Sequence, residues 1–187
     1  MIIIFVGADM CGKTNIAHQL SRVLNIPVFK ASSEHGSFLH GQDRFLTNIR
    51  VSSQYLLDFI RQTGSSVIFD REFPCEYAYS KHFNRETDID AIMALDEGYS
   101  KLDTLIIHCK RKSFSGIRDD LDQSIDENSL NSIQRHYDDF RMISGCKWLE
   151  LFVDDENIER ELQEIREKML EVFPLWALSE TQSYILD

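Results

Sequence analysis

Residues Gly7-Ala8-Asp9-Met10-Cys11-Gly12-Lys13-Thr14 satisfy the spacing G-x-x-x-x-G-K-[ST] at every fixed position. Residues of these types at this spacing suit the gripping of a chain of phosphates. Successive N–H groups from about Met10 to Thr14 can point into one concavity. A helix that starts there adds partial positive charge. Lys13 is placed to reach β- and γ-phosphates, and the Thr14 hydroxyl to hold Mg²⁺. Gly7 and Gly12 let the backbone wrap without a Cβ clash. The spacing is not G-x-G-x-x-G, which disfavours a flavin or nicotinamide site.

A second cluster is Asp70-Arg71, which follows the apolar run Val67-Ile68-Phe69. A carboxylate at such a strand end can meet Mg²⁺ or its waters, and an arginine fork suits a phosphoryl oxygen. Asp9 is the other carboxylate in reach. An anion beside phosphates repels them, so Asp9 is expected to orient an acceptor, an arginine or a metal-bound water. Phe29, Lys30, Arg50, Gln54, Arg71 and Tyr79 are the candidates for an acceptor pocket beyond the carboxyl ends of the strands. Phe29 could stack on a base, and the Gln54 amide could pair with a base edge. A hydroxyl acceptor would need a base, for which Glu34, Asp9 and Asp70 are available, whereas a phosphate acceptor needs only positioning.

Lys110-Arg111-Lys112 and Arg118 are the densest positive charge in the chain. A basic loop there could act as a lid that neutralises a phosphoryl group in transfer and excludes water. Arg118, next to Gly116, is the expected inward cation, with Arg111 the alternative. The six histidines show no metal-ligand spacing, and no zinc is expected. Outside the phosphate loop, D-x-x-G and N-K-x-D strings of guanine-reading switch proteins are absent.

The elements that must position these residues alternate. Ile2 to Val6 reads as a strand buried on both faces, as in parallel sheets. A helix follows to Leu24, then a short strand over Ile26 to Phe29. Helical spacing recurs over Phe45 to Gln62, from Phe73, over Asp88 to Tyr99, over Ser129 to Met142 and over Ile158 to Phe173. Further strands are expected at Val67 to Phe69, Thr104 to Cys109 and Trp148 to Val153. This β-α repeat is the pattern of a doubly wound α/β fold. Residues 1–173 are expected to form one domain with a lid at about 110–122, and residues 174–187 a C-terminal extension.

Of 187 residues, 43% are hydrophobic, enough for a core, and 27% are charged. Twenty Lys and Arg against 31 Asp and Glu leave a formal charge of −11. That argues against a partner such as duplex nucleic acid, which needs a basic surface. No apolar run approaches 18 residues and no basic leader precedes the first strand, so a soluble cytoplasmic setting is expected. The four cysteines are too far apart for a zinc knuckle or a redox pair.

With those residues in view, the chain resembles the thymidylate kinase and deoxynucleoside kinase branch of P-loop kinases. Ile4 to Thr14 is similar to a thymidylate kinase strand followed by G-x-D-G-x-G-K-[ST], with Asp9 on that pattern's aspartate. Asp70-Arg71 falls on the family's D-R, and Ala78-Tyr79 on its A-Y. Arg50 lies on the helix that carries an arginine clamping the monophosphate in that family, and Tyr137-x-x-Phe140 resembles a further motif. Cys75, Ser80 and Met10 depart from it, and E-P-G-G is absent after the second strand. The member looks divergent and similar to small phage-encoded kinases, which would put it in a host cytoplasm. The resemblance implies a P-loop NTPase fold with a five-stranded parallel sheet in the order 2-3-1-4-5, helices on both faces, ATP and Mg²⁺ as cofactors, and a homodimer through helices. It implies phosphoryl transfer from ATP to a deoxynucleoside monophosphate, thymidylate first. The alternatives are a kinase acting on a nucleoside 5′-hydroxyl, a shikimate-like small-molecule kinase, and a nucleotide-binding module without catalysis.

Overall fold

The computed structural model describes residues 1–30, 43–117, 125–155 and 157–173. Arg118, Glu34, the second half of the expected lid and residues 174–187 lie outside the described residues. Five parallel strands form one sheet in the order β2-β3-β1-β4-β5, as the resemblance implies. They are β1 (Ile2–Val6), β2 (Val28–Phe29), β3 (Val67–Asp70), β4 (Thr104–Lys110) and β5 (Lys147–Phe152). The run of β-branched and aromatic residues in β1 places it at the centre, with every residue buried. Register aligns Phe5 with Asp70 on β3 and Val6 with His108 on β4. The carboxyl ends of these three strands therefore share one edge, and whatever follows β1 or β3 meets there.

The helices are α1 (Lys13–Leu24), α2 (Asp43–Thr47), α3 (Gln54–Thr63), α4 (Phe73–His82), α5 (Ile89–Ser100), α6 (Glu127–Arg141) and α7 (Ile158–Val172). On one face α1 packs with α7, and on the other α4 packs with α5 and α6. An aromatic cluster fills the second face: Phe73 stacks on Tyr99 at 5.3 Å and meets Phe140 edge-on at 6.0 Å. Burying such a ring contributes roughly 2–3 kcal/mol.

Differences from the expected elements have local causes. The second strand is shorter than Ile26 to Phe29, because the exit of α1 uses Ile26. Asn25 ends α1 in the left-handed region (φ 52°), Ile26 N–H bonds back to Ser21, and the Ser21 hydroxyl donates to the Ile26 carbonyl. The expected helix over Phe45 to Gln62 is interrupted by a π-helical stretch, Asn48–Ser53, between α2 and α3. That wider turn buries both Ile49 and Ser53, and such insertions occur often at functional sites. β4 runs on through Lys110, and Phe114 is fully buried. The start of the expected lid is thus anchored to the body.

Candidate active site

The phosphate loop joins β1 to α1 at the shared strand edge. Gly7 has φ 141°, and a Cβ there would lie 2.4 Å from the Cys109 carbonyl oxygen of β4. Glycine is required by conformation and by space. Gly12 (φ 66°) caps α1 in the left-handed region, and Met10 (φ 63°) turns the same way. Lys13 folds back over the loop, and its Nζ donates to the Ala8 carbonyl. Burial and the nearby Arg71 guanidinium pull the Lys13 ammonium below its usual pKa. An anion in the loop would reverse that balance. Burial raises the Cys11 thiol, which stays protonated and unreactive.

Thr14, on the first turn of α1, donates its hydroxyl to Asp70 Oδ2 at 2.6 Å. Lys30 Nζ lies 3.7 Å from the same oxygen. Asp70 is 1% exposed, and its Oδ1 has no hydrogen-bond partner. A buried carboxylate oxygen left unpaired is costly unless a ligand meets it. A hydroxyl oxygen and a carboxylate side by side are hard donors that suit Mg²⁺. The Thr14–Asp70 pair therefore fits the cation expected with a nucleoside triphosphate.

Asp9, Arg71 and Tyr79 close into a triangle. Arg71 Nη2 pairs with Asp9 Oδ1, Arg71 Nη1 donates to the Tyr79 hydroxyl at 2.9 Å, and Tyr79 donates to Asp9 Oδ2 at 2.7 Å. Burial alone would raise the Asp9 pKa. The Arg71 charge, the Tyr79 hydroxyl and Lys13 outweigh it and hold Asp9 below the usual carboxylate value. Burial, with Asp9 adding to it, raises the Tyr79 phenol against the pull of Arg71. Arg71 itself has φ 74°, unusual for a side chain of this size, with its N–H on the Phe5 carbonyl at 3.0 Å. Such conformations persist where surrounding structure imposes them, and they cluster at sites.

Among the described cations of the expected lid, Arg111 reaches the loop, with Nε 3.0 Å from the Met10 carbonyl. Lys110 is held by Asp138 at 2.8 Å and Glu150 at 2.8 Å. The backbone N–H of Lys112 bonds Asp154. Phe29 meets Phe69 edge-on at 5.9 Å in the wall beside Asp70. Two acceptor candidates, on the π-helical stretch and at the start of α3, are held by carboxylates, one at the cap of α5 and one a turn along α3. Arg50 pairs with Asp88 at 2.5 Å with its side chain 58% exposed, and Gln54 donates to Asp58 at 3.1 Å. Thus the structure gathers Asp9, Lys13, Thr14, Lys30, Asp70, Arg71 and Tyr79, and leaves Arg50 and Gln54 on a flank.

Residues that sequence reasoning missed lie on α4. Glu76 is three residues before Tyr79 and so shares its helix face. It forms a two-pronged pair with Arg85 (2.7 and 3.0 Å), whose guanidinium lies 3.6 Å over the Phe45 ring. That spacing from Tyr79 was the available signal. Glu72 caps α4 by accepting from the Phe73 N–H, while Oε1 has no partner. Burial pushes its carboxyl up to about 7 despite Ser53 and the Phe73 N–H. No signal in the sequence marks that burial.

The chain matches no protein-family profile and no curated protein. Solved structures do match. The YorR protein of Bacillus subtilis, in complex with phosphorylated GDP, superimposes with a TM-score of 0.67 at 20% identity, covering 96% of this chain and 99% of that one. Thymidylate kinase from Ehrlichia chaffeensis gives 0.63 at 16% identity, over 90% of this chain and 98% of that one. Deoxyadenosine kinase from M. mycoides, with dCMP and dCDP bound, gives 0.56 at 16% identity, over 91% and 100%. At such identities the shared property is the fold. The chain has a P-loop kinase-like α/β fold, with a five-stranded parallel sheet and flanking helices. Among the described residues, no helix is long and apolar enough to cross a membrane.

Proposed function

We propose that this protein transfers the γ-phosphoryl group of ATP to a deoxynucleoside monophosphate, with thymidylate the first acceptor to test. The observation that carries this reading is the convergence of the phosphate loop, the Thr14–Asp70 pair and the Asp9–Arg71–Tyr79 triangle at one strand edge. The loop N–H groups from Met10 to Thr14 would hold the triphosphate, and Lys13 would leave the Ala8 carbonyl for the β- and γ-phosphates. Thr14 and Asp70 would hold Mg²⁺, which supplies charge neutralisation across the phosphates. Arg71 would bind the acceptor's phosphate or the group in transfer, and Tyr79 and Asp9 keep its fork oriented. Arg111, and Arg118 as the sequence suggests, would exclude water and spread the developing charge. Phe29, Arg50 and Gln54 would complete the acceptor side, with Glu76–Arg85 at its wall. Catalysis would then be placement plus electrostatics.

The state of Asp9 supports a phosphorylated acceptor. Its carboxylate accepts from two donors and sits below the usual pKa, which makes it a poor general base for a hydroxyl. A monophosphate oxygen needs none. The second reading, transfer to a nucleoside 5′-hydroxyl, is favoured by the similarity to the M. mycoides deoxyadenosine kinase. A panel of nucleosides and their monophosphates, incubated with ATP and Mg²⁺ and read by product mass, tests both. Diphosphate products are expected. Monophosphates formed from nucleosides would select the second reading, and triphosphate binding with no transfer would reduce the chain to a binding module.

A further inference from the structure

Lys30 follows β2, where Phe29 pairs with Phe69 in register. The next step along both strands sets Lys30 beside Asp70. Its Nζ is 3.7 Å from Asp70 Oδ2, the oxygen that also accepts from Thr14 at 2.6 Å. The ammonium therefore borders the pair of oxygens that fits Mg²⁺. The two partners differ in freedom. The Asp70 side chain is 2% exposed, whereas that of Lys30 is 44% exposed on a flexible four-carbon stem. A buried carboxylate needs a counter-charge, and a long contact to a half-exposed lysine is one that can be given up.

Resting on the kinase reading above, we propose that Lys30 is an exchangeable counter-charge, which neutralises Asp70 until Mg²⁺ arrives with ATP and then turns its ammonium to the phosphate of the acceptor. A divalent cation on either oxygen of this carboxylate, the unpartnered Oδ1 included, would stand close to the Lys30 ammonium, and the two cations repel. When Mg²⁺ takes Asp70, Lys30 loses its carboxylate and becomes available to another anion. Arg71, the neighbouring cation, is held in one orientation by Asp9 and Tyr79, so the Lys30 ammonium would add a second, movable positive group on the acceptor side. An acceptor carrying a phosphate gains the released ammonium, and an uncharged nucleoside does not. Metal binding and acceptor binding are thereby coupled, and the coupling must run equally in both directions. A lysine that merely braced β2 against β3 would give no such coupling.

Calorimetric titration of the full chain tests this. The acceptors are dTMP, dCMP, dAMP and dGMP, with thymidine as the uncharged control, in the presence of a non-hydrolysable ATP analogue with and without Mg²⁺. In the native protein Mg²⁺ is expected to tighten the preferred monophosphate by about tenfold and leave thymidine unchanged. Lys30→Gln is expected to lose most of that gain while still binding the analogue, and Lys30→Arg to keep much of it. Equal Mg²⁺ dependence in the native protein and Lys30→Gln overturns the exchange but leaves the kinase reading standing. Loss of folding in Lys30→Gln, read by circular dichroism, makes Lys30 a structural brace and counts against the exchange. Failure of every monophosphate to bind overturns it as well. Failure of the native protein to bind the analogue removes the kinase reading and the exchange together.

Discussion

The two halves of the candidate site are built on different principles. The half proposed for the triphosphate is made of backbone: Gly7 pressed against the Cys109 carbonyl, left-handed turns at Met10 and Gly12, and the first turn of α1. The half proposed for the acceptor is made of charged side chains that hold one another, Asp9 with Arg71 and Asp70 with Lys30, with the pairs Arg50–Asp88 and Glu76–Arg85 on its flank. A backbone cradle has one shape and serves any triphosphate. Paired side chains neutralise each other until a ligand competes for one member, so they can be retuned without disturbing the sheet.

The sharpest test of that contrast is Lys13→Ala. It removes the side chain that would contact the transferred group and leaves the cradle in place. Turnover is expected to fall about a thousandfold with the circular dichroism spectrum unchanged, and turnover equal to the native value would refute the assignment. Gly7→Ala attacks the cradle instead. With a Cβ 2.4 Å from a carbonyl oxygen and φ at 141°, β1 and β4 must separate or the loop must shift. A loss of about 4 kcal/mol in urea unfolding is expected, together with loss of triphosphate binding. Native stability in that variant would mean that the loop is soft.

The contrast also explains what was legible in the sequence. The alternation of strands and helices and the loop could be read because a buried run such as Ile2–Val6 and the spacing of Gly7, Gly12, Lys13 and Thr14 are local patterns, whereas the sheet order came only from the family resemblance. Asp70-Arg71 stood out as charge directly after the buried run Val67–Phe69, and Tyr79 through the A-Y pair of the family resemblance. The π-helical stretch at Asn48–Ser53 was not, since 3.6-residue and wider turns share the same apolar spacing over so few residues. Nor were the pairs made by Glu76 and Arg50. Arg50 meets Asp88 in a distant segment and Glu76 meets Arg85 beyond the end of its own helix, and a charge pattern does not say which partner an arginine will choose. Glu72 was visible only as an acidic residue after Asp70-Arg71, because its burial comes from tertiary packing.

Glu72, buried at the start of α4, can be tested through pH. Its carboxyl titrates near 4.5 in an unfolded chain and at about 7 in the fold. The folded chain therefore holds this proton more tightly. Its contribution to stability is full below about 4.5, declines as the pH climbs to about 7 and is then level. The decline amounts to no more than about 3 kcal/mol. Glu72→Gln keeps an oxygen to accept the Phe73 N–H but carries no proton to lose. Urea unfolding of both proteins at pH 5 and pH 8 should show the variant gaining on the native chain at the higher pH. Asp9 and Asp138, held below the usual carboxylate value, contribute slopes of opposite sign, but these are common to both proteins and cancel. Parallel curves would show that Glu72 is ionised throughout.

The smallest expected effect decides whether Arg50 belongs to the acceptor wall at all. Its pair with Asp88 is solvated, with the arginine side chain 58% exposed, and exposed pairs add little to stability. Asp88 keeps its main task without Arg50, since its carboxylate still accepts from the Ala91 N–H and caps α5. Arg50→Ala should therefore leave the thermal midpoint unchanged. If Arg50 exchanges Asp88 for the acceptor phosphate, KM for the monophosphate rises several-fold while KM for ATP and kcat hold. A lowered midpoint with unchanged KM would instead make Arg50 a staple between the π-helical stretch and α5. The side-chain half of the candidate site would then be smaller than the sequence suggests, confined to the segments beside Asp70 and Tyr79.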